Sequence, residues 1–327
     1  MAHLLVTGGA GYIGSHVLRA LRRAGHRAVV IDDLRAGREE FVRGVPLWKH
    51  DVGDREALRA LFARYGPFEG VIHLAASISV AESVRRPIDY WRNNAVGSLQ
   101  LIETALEHGV RAFVLSSTAA VYGHPEFQPI SDTGPLAPIN PYGASKAAVE
   151  QMLADVERAH GMRWAALRYF NASGADPDGG LGECHEPETH LIPVALEAAA
   201  GLRPELVLFG TDYPTRDGTC IRDYVHVSDL AHAHLRAVEA LLENGPGGPY
   251  NLGSGTGRSN REVLDRVGAI VGRPVPHRLG PRREGDPAEL VADSSRFQRD
   301  FGWTPARSDL DTIVGTAWTW LRSWRGI

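Results

Sequence analysis

Cysteine, long apolar runs and excess charge of either sign are scarce in this chain, and each scarcity excludes a class of protein. The 327 residues contain two cysteines, Cys184 and Cys220, which argues against a disulfide framework and favours a reducing cytoplasm. No apolar run reaches membrane-spanning length. The formal net charge of -4 gives no reason to expect nucleic acid or an anionic membrane as a partner. The first residues lead directly into a strand and a glycine turn, which leaves no room for a signal peptide, so we expect a cytoplasmic globular protein.

The histidines invite interpretation as metal ligands, but their spacing does not support it. His232 and His234 are two residues apart, so on a helix they would point away from each other. A second group crowds one segment without matching a familiar ligand spacing: Cys184, His185, Glu188 and His190. We therefore predict no metal site.

The first distinctive motif is a glycine-rich turn near the N-terminus. An apolar strand pattern at 3–7 is followed by Gly8, Gly11 and Gly14, which lead into a helix pattern. Glycines here permit a tight turn and let the backbone approach a pyrophosphate, whose charge then faces the helix N-terminus. The next predicted strand ends at Asp32 and Asp33, whose carboxylates suit ribose hydroxyls and repel a 2′-phosphate. The segment therefore predicts binding of NAD rather than NADP.

Strand and helix patterns alternate up to residue 171, which predicts an α/β fold with a doubly wound, Rossmann-type parallel sheet. The chain then becomes rich in glycine, proline and acidic residues, and shorter patterns follow. We predict an NAD-binding domain at 1–171 and a smaller, mixed α/β substrate domain at 172–327, interleaved with the first. Local predictions include strands at 163–169 and 206–209, one long helix over 87–108, and a capping box of Ser259 and Glu262.

A tyrosine and a lysine four residues apart, Tyr142 and Lys146, stand at the start of a helix pattern over 144–158. Positions i and i+4 share a helix face, so the ammonium can approach the phenol and favour the phenolate. An unperturbed tyrosine has a pKa of about 10, and lowering it to 7 takes about 4 kcal/mol, more than one exposed lysine supplies. An oxidised nicotinamide would supply a second positive charge, so that Tyr142 can act as a base on an alcohol. Thr118 ends the predicted fifth strand, at the sheet edge where ligands bind.

With these features at these intervals, the sequence resembles the extended short-chain dehydrogenase/reductases over nearly its whole length. The segments that carry the resemblance are 7–15, the Val-Tyr-Gly at 121–123, the Leu-Arg-Tyr-Phe-Asn at 167–171, 209–227, and the Arg-Arg-Glu-Gly-Asp at 282–286. The resemblance implies that Thr118 bonds the sugar 4-oxygen, that Tyr142 is the base and that Lys146 holds the nicotinamide ribose. It also implies a homodimer formed through the helices that contain Asn93 and Glu150.

The resemblance further implies two sets of binding residues. The cofactor set is Gly8, Gly11, Tyr12, Ile13, Gly14, Asp32, Asp33, Leu34, Asp51, Val52, Leu74, Ala75, Ala76, Asn93, Tyr142, Lys146 and Phe170. The substrate set is Thr118, Asn171, His190, Leu191, Val207, Leu208, Phe209, Arg222, Arg283, Asp286 and Leu290. In the substrate set, Val207 to Phe209 would hold uracil, Arg222 and Arg283 the pyrophosphate, and Asp286 the nucleotide ribose.

The activity that the resemblance implies is interconversion of UDP-glucose and UDP-galactose by transient oxidation at sugar C4, with a permanently bound NAD. A dehydratase also needs an acid and a base for elimination, which relatives supply as Asp-Glu after the threonine; this chain has Ala119 and Ala120 there. A decarboxylase, or a 4-epimerase of an N-acetylhexosamine, uronic acid or pentose nucleotide, stays open because pocket shape decides it. A non-catalytic NAD-dependent sensor also stays open.

Two positions bear on specificity and on cofactor retention. The resemblance implies that Leu290 lies beside the sugar 2-substituent, where relatives with tyrosine are restricted to plain hexoses and those with a small residue also accept N-acetylated ones. Leucine is intermediate in size, so we expect slow turnover of UDP-N-acetylgalactosamine compared with UDP-galactose. Ile78 replaces a lysine that some relatives place near the cofactor phosphates, which leaves the pyrophosphate to the glycine turn and the helix dipole.

Overall fold

The computed structural model describes residues 1–283 and 285–327, so Glu284 of the Arg-Arg-Glu-Gly-Asp motif lies outside the described residues. The strands are β1 His3–Thr7, β2 Arg27–Ile31, β3 Leu47–Trp48, β4 Gly70–His73, β5 Ala112–Thr118, β6 Arg163–Tyr169, β7 Asn171–Ser173, β8 Leu206–Phe209, β9 Ile221–His226, β10 Gly248–Leu252, β11 Gly257–Ser259, β12 His277–Gly280 and β13 Glu289–Leu290. The helices are α1 Tyr12–Arg23, α2 Arg55–Tyr65, α3 Val80–Arg85, α4 Pro87–Tyr90, α5 Gly97–Glu107, α6 Pro141–His160, α7 Leu191–Ala199, α8 Val227–Leu242, α9 Asn260–Val271, α10 Ser295–Phe301 and α11 Leu310–Arg325. Short 3-10 turns lie at Glu39–Val42 and Ala119–Val121, and a π-helical turn at Trp91–Val96 joins α4 to α5. Across these described ranges, no helix has both the length and the apolar character needed to cross a membrane.

The central sheet is parallel and has the strand order β10-β6-β5-β4-β1-β2-β3 in the described residues. The chain first builds outward from β1 to β3 and then crosses to build from β4 to β10, so the order reverses between β1 and β4. This confirms the predicted doubly wound fold. Ligands bind such sheets in the crevice at the carboxyl ends of the strands beside the reversal, here those of β1 and β4.

Alternate residues of the central strands lie on opposite faces of the sheet and pack into two separate apolar cores. In β1, Leu4 and Val6 belong to the core that contains side chains of α1 and α8, whereas Leu5 belongs to the core that contains side chains of α2, α5 and α6. Strands that are covered on both faces read as continuous apolar runs, which is why the sequence predicts them as buried. Because α8 and β10 come from beyond residue 172, the later part of the chain completes the sheet that the earlier part begins.

The remaining elements form a smaller part with its own apolar core. Side chains of α7, α9 and α11 pack on β8, with Ile192, Leu196, Val263 and Ile313 fully buried among them. Small sheets made by β7, β9, β11 and β13, and by β8 with β12, lie in this part. This confirms the predicted smaller mixed α/β region.

The local predictions succeed where a single motif decides the element. The strands predicted at 163–169 and 206–209 are β6 and β8, and the capping box of Ser259 and Glu262 begins α9. The helix predicted at 144–158 begins earlier, at Pro141, because the Asn140 side chain accepts the Gly143 N–H and caps it there. The helix predicted over 87–108 is interrupted by the π-helical turn, a feature that apolar periodicity does not encode.

Candidate active site

The turn between β1 and α1 allows a negatively charged ligand to approach closely. Gly8 has a left-handed backbone, with φ of 68°, and a Cβ there would lie 2.6 Å from the Ala75 backbone nitrogen. A Cβ at Gly14 would overlap the Gly8 carbonyl oxygen, so α1 packs close to the turn only because this residue is glycine. Within the described residues no side chain caps α1 at Gly11, and the first turn contains no acid. The N–H groups at this helix start are therefore free to meet phosphate oxygens: Tyr12, Ile13 and Gly14.

Side chains add little to this phosphate-binding end. The Tyr12 hydroxyl donates a hydrogen bond to the Gly174 carbonyl oxygen at 2.6 Å, and burial raises the pKa of this phenol. Tyr12 can therefore meet a cofactor only through its backbone. Ile78 is exposed and carries no charge, so the backbone N–H groups and the helix dipole remain the means of holding a pyrophosphate here.

The carboxylate at the end of β2 is fixed by the backbone. The two oxygens of Asp32 accept the N–H groups of Ala10 and Leu34, each at 2.9 Å. Burial raises the pKa of Asp32, and these two hydrogen bonds oppose the rise. Val52 is buried after β3. An oriented carboxylate beside the glycine turn suits the hydroxyls of an adenosine ribose.

Arg35, the residue that could favour a 2′-phosphate, is already surrounded by acceptors. Its guanidinium contacts the Asp33 carboxylate and donates from Nη2 to Asp51 at 3.2 Å and to the Asn93 side-chain oxygen at 3.1 Å. This arrangement brings three predicted cofactor residues together. Two carboxylates beside one arginine leave no net positive charge for an additional phosphate, as the preference for NAD requires.

The end of β4 presents small side chains to the glycine turn. Leu74, Ala75 and Ala76 are half-buried there, and the Ala75 N–H donates to the Thr7 hydroxyl at 3.2 Å. The same hydroxyl lies 2.7 Å from Nδ1 of His73, whose pKa burial lowers to about 3. The groups at the end of β4 are therefore uncharged, and the alanine side chains are small enough for a cofactor to lie against the backbone.

The π-helical turn ties this crevice to α6. The Asn94 side chain accepts the Ser77 N–H at 2.8 Å and donates to the Ser77 carbonyl oxygen at 3.0 Å and to the Ser145 hydroxyl at 3.2 Å. Asn93, its neighbour, donates to the Ser77 hydroxyl at 3.2 Å. The irregular turn thus lets two adjacent asparagines face the same loop.

The start of α6 lies directly against the loop that follows β5. A Cβ at Gly143 would overlap the Ala120 carbonyl oxygen, so the helix approaches this closely only because the residue is glycine. Tyr142 precedes Gly143, and Thr118 ends β5. The close approach places the Tyr142 phenol beside the Thr118 hydroxyl.

The electrostatics of Tyr142 differ from the prediction. Burial raises the pKa of the phenol, and a hydrogen bond with Thr118 opposes the rise. The Lys146 ammonium, only 3% exposed, donates to the Ser116 carbonyl oxygen at 2.9 Å, and burial lowers its pKa to about 8. In the protein alone the lysine therefore does not give a phenol of low pKa, because loss of solvation dominates at both groups.

Sequence reasoning missed a buried ion pair that lies one turn beyond Lys146. Glu150 accepts a hydrogen bond from Arg168 at 2.5 Å and one from the Ser117 hydroxyl at 2.5 Å. Arg168 also donates to the Tyr122 hydroxyl at 2.8 Å. The signals were available: Glu150 is four residues from Lys146, and Tyr122 and Arg168 both belong to motifs that carried the resemblance.

The smaller part brings four predicted substrate residues together. Asp286 accepts hydrogen bonds from Arg222 at 3.4 Å and from Arg283 at 2.8 Å. The Arg283 guanidinium lies 5.4 Å from the centre of the Phe209 ring, which is exposed at the end of β8. Two guanidinium groups beside an exposed aromatic ring suit a diphosphate next to a planar base.

Three other predicted substrate residues differ in what their side chains can reach. Leu208 is buried in the core of the smaller part, so it can meet a ligand only through its backbone. Val207 beside it is half-buried. The Asn171 amide donates to the Asp223 carbonyl oxygen at 2.9 Å, which leaves its side-chain oxygen for other partners.

Leu290 and Phe170 lie on the same small apolar cluster. Both pack against Val121, Tyr122 and Ile130, in the part of the structure that follows Thr118. Leu290 therefore does not belong to the core formed by α7, α9 and α11. Its side chain is half-buried in the same cluster as the predicted cofactor residue Phe170.

His190 and Leu191 lie at the start of α7. Nδ1 of His190 is 2.8 Å from Glu183 and 2.9 Å from Glu188. Burial alone would lower the pKa of His190, but the hydrogen bonds to these two carboxylates raise it to about 10. Among the described residues no side chain caps this helix, so the Leu191 N–H is available to an anion, whereas the His190 ring is engaged by the carboxylates.

Known proteins match this chain along almost its full length. A UDP-glucose 4-epimerase of Azospirillum brasilense is 52% identical over 321 residues, which covers 98% of this chain and 92% of the relative. The structure of UDP-glucose 4-epimerase from Brucella ovis in complex with NAD has a TM-score of 0.94 and 47% identity, with 98% of each chain covered. That of the Bifidobacterium longum enzyme in complex with NAD+ and UDP has a TM-score of 0.93 and 34% identity, with 99% of each chain covered.

The model of one protein family also matches most of the chain. It is described as the NAD dependent epimerase/dehydratase family and matches residues 4–253. This range begins in β1 and ends after β10, so it contains all of the central sheet except His3, together with the Thr118, Tyr142 and Lys146 positions. By this match and by the full-length relatives, the chain belongs to the NAD dependent epimerase/dehydratase family.

Proposed function

We propose that the protein interconverts UDP-glucose and UDP-galactose, with NAD as its cofactor. The observation that carries the proposal is that the Tyr142 phenol lies beside Thr118 at the carboxyl edge of the sheet, with Lys146 one turn along α6 and the glycine turn leaving its N–H groups free. The relatives described above match nearly the full length of the chain, and they are named for this activity. The paired arginines at Asp286 supply a site for the diphosphate of the substrate.

Thr118, Tyr142 and Lys146 have different roles in the proposed reaction. Thr118 orients the sugar 4-oxygen, and Tyr142 takes the proton of the 4-hydroxyl and later returns one. Lys146 holds the nicotinamide ribose and contributes positive charge. Bound NAD supplies the redox capacity for transient oxidation at C4, with no net redox change. The phenol is tuned only in the complex, since burial raises its pKa in the protein alone.

The residues around the crevice fit NAD. The uncapped start of α1 meets the pyrophosphate, and Asp32 meets the adenosine ribose. Asp33, Asp51 and Asn93 surround Arg35 at the adenosine end. Small residues at the end of β4 and Phe170 line the path toward Tyr142. Leu34 and Val52 complete the predicted cofactor set.

The uridine diphosphate end belongs to the smaller part of the molecule. Phe209, with Val207 and the Leu208 backbone, receives the uracil, Arg222 and Arg283 the diphosphate, and Asp286 the ribose. Asn171 and the start of α7, at His190 and Leu191, lie on the sugar–diphosphate side. If the Asp286 carboxylate accepted hydrogen bonds from the ribose hydroxyls instead of the arginines, both guanidinium groups would be free to bind the phosphates.

Other activities receive less support. A dehydratase needs an acid–base pair at the positions where this chain has Ala119 and Ala120, which form a turn directly after Thr118. A non-catalytic sensor has no need of a buried lysine beside a tyrosine. The exact UDP-sugar depends on the pocket beside Leu290, so UDP-N-acetylgalactosamine, UDP-glucuronate and UDP-xylose should be assayed alongside UDP-galactose.

The test removes the proposed base. Tyr142→Phe should retain binding of UDP and lose about 10²–10⁴-fold in turnover of UDP-galactose, because the phenol oxygen is deleted without a change in shape. Tyr65→Phe, on α2, is the matched control and should keep parental turnover. Thr118→Val should be milder than Tyr142→Phe, because it removes an orienting hydrogen bond. Near-parental turnover in Tyr142→Phe would contradict the proposed role.

We also propose a homodimer, formed through α4, α5 and the intervening turn against the same elements and α6 of a second copy. The support is a set of large apolar side chains exposed on this segment and on α3 directly before it: Val84, Ile88, Trp91, Val96 and Leu99. Light scattering should give twice the chain mass for the parent and one chain mass for Val84→Asp/Ile88→Asp. Leu202→Asp, at an exposed position after α7 and outside this segment, should remain dimeric. A monomeric parent would contradict this proposal.

The division at residue 171 and a cytoplasmic location are also proposals. The first is supported by the separate core of α7, α9 and α11, and the interleaving by α8 and β10 on the central sheet. The second is supported by Cys184 and Cys220, which are both free thiols.

A further inference from the structure

The segment 183–190, which precedes α7, brings four metal-ligating groups to one point. One donor atom from each of Glu183, His185, Glu188 and His190 lies within 4.8 Å of the other three. The sequence prediction considered Cys184 in place of Glu183 and found no familiar spacing. The fold of the segment, not the spacing, selects the donors.

The donor atoms lie close enough together to share one ion after small shifts of the side chains. Nδ1 of His190 lies 2.8 Å from Glu183 and 2.9 Å from Glu188. Nδ1 of His185 lies 3.0 Å from Glu183 and 3.9 Å from Glu188. A tetrahedral ion with ligands at about 2.0–2.1 Å separates its donors by about 3.3 Å, which falls inside this range.

The charge and burial of the group favour a cation. The side chains of Glu183 and Glu188 are each 7% exposed, and among the described residues their ion-pair partners are the two histidines. The two carboxylates bring two negative charges into a largely buried position, which is costly unless a cation lies beside them. A divalent ion neutralises this charge and occupies all four donors.

The donors are held in place by neighbouring groups. One oxygen of Glu188 accepts the N–H groups of Thr189 at 2.7 Å and His190 at 2.8 Å. The Glu183 carbonyl oxygen accepts the Trp320 indole N–H at 2.8 Å, which joins the segment to α11. The His185 ring stands edge-on to Tyr12 with centroids 6.4 Å apart, beside the glycine turn. Such supporting contacts orient metal ligands before the ion binds.

We propose that Glu183, His185, Glu188 and His190 bind one divalent transition-metal ion of the Zn²⁺ class. Four protein donors close the coordination sphere, which is typical of a structural site rather than a catalytic one. Two nitrogen and two oxygen donors suit zinc and cobalt better than magnesium or calcium. The ion would fix the segment 183–190 between α1, α7 and α11, next to the predicted pyrophosphate and sugar sites.

The experiment uses the full chain with its purification tag removed, because a histidine tag would itself bind metal. After incubation with Zn²⁺ and desalting, elemental analysis should find about one zinc per chain. After removal of metal with a chelator, Co²⁺ should give the intense visible absorption of a tetrahedral site and saturate at about one equivalent. Zinc should also raise the melting temperature of the chelator-treated protein, since the ion binds only the folded chain.

Matched variants locate the ion. His185→Gln and Glu188→Gln should each lose the cobalt absorption and the zinc-induced rise in melting temperature. His124→Gln, an exposed histidine outside the segment, should keep both. X-ray absorption of the zinc-loaded parent gives a readout that needs no variant: nitrogen and oxygen neighbours at about 2.0–2.1 Å are expected.

Three results would overturn the proposal. The parent could fail to retain zinc after loading, His185→Gln could bind cobalt as the parent does, or sulfur could appear among the zinc neighbours. The first result would leave the cluster as histidines paired with carboxylates. The last would assign the ion to Cys184.

Discussion

Lys146 should reduce the stability of the fold that it serves, and its replacement by methionine should reveal this. The chain has two lysines, Lys146 and Lys49, and Lys146 is 3% exposed. Burial lowers its pKa from 10.5 to about 8, although Glu150 opposes the fall. Lys146→Met keeps the length of the side chain and removes the charge. We expect the variant to lose activity but to resist unfolding better than the parent at pH 7.

The magnitude follows from the pKa and from one hydrogen bond. A fall from 10.5 to about 8 corresponds to about 3 kcal/mol of destabilisation at neutral pH. The variant loses the hydrogen bond from Nζ to the Ser116 carbonyl oxygen, and an unsatisfied buried acceptor costs about 1–3 kcal/mol. The net gain for Lys146→Met at pH 7 is therefore about 1 kcal/mol.

The pH dependence of stability shows whether the buried charge of Lys146 stabilises or destabilises the fold. Below pH 8 the lysine is charged in both the folded and the unfolded chain, so the full penalty applies. Between pH 8 and 10.5 the unfolded chain still binds a proton that the folded chain has released, so the stability of the parent rises with pH. The gain shown by Lys146→Met should shrink through this window and become a loss above it, when only the missing hydrogen bond remains.

Urea unfolding of nucleotide-free parent and variant at pH 7 and at pH 10 measures both differences. Lys49→Met, at an exposed site, is the control and should change stability by less than about 0.5 kcal/mol at either pH. A Lys146→Met variant that is less stable than the parent at pH 7, or a difference that does not depend on pH, would refute the reasoning.

Three further substitutions test other parts of the site. Glu150→Gln leaves Arg168 buried without its charge partner and should cost about 3–5 kcal/mol in urea unfolding, whereas Glu150→Leu/Arg168→Met should cost less; a larger loss in the double variant would contradict the ion-pair assignment. Leu290→Tyr should lower kcat/KM for UDP-N-acetylgalactosamine relative to UDP-galactose by about tenfold to a hundredfold, and an unchanged ratio in a folded variant would show that Leu290 does not limit the pocket. Gly14→Ala places a Cβ on the Gly8 carbonyl oxygen, so the purified variant should retain less NAD than the parent in acid extracts, and an equal content would contradict the close-approach argument.

Short-range patterns in the sequence determined the strands of the sheet, the glycine turn between β1 and α1, and the helix α6 that contains Tyr142. The strand at 163–169 is encoded by its own apolar residues, and the capping box of Ser259 and Glu262 by two residues three apart. Gly8 and Gly14 are recognisable because the turn imposes a backbone conformation and a spacing that other residues do not fit. The capping box and the spacing of the glycines lie within a few residues of chain, which a sequence displays directly, whereas the contact that excludes a Cβ at Gly8 comes from Ala75.

Tertiary structure alone decided which groups are buried and which distant groups meet. The spacing of Tyr142 and Lys146 predicted a shared face, but burial raised one pKa and lowered the other, because solvation depends on everything packed around a group. Glu183 joins His185 and His190 through the path of an irregular segment that no periodicity describes. The contact between Glu150 and Arg168 requires α6 to pack on β6, and the sequence gives no distance between elements that meet only when the sheet is assembled.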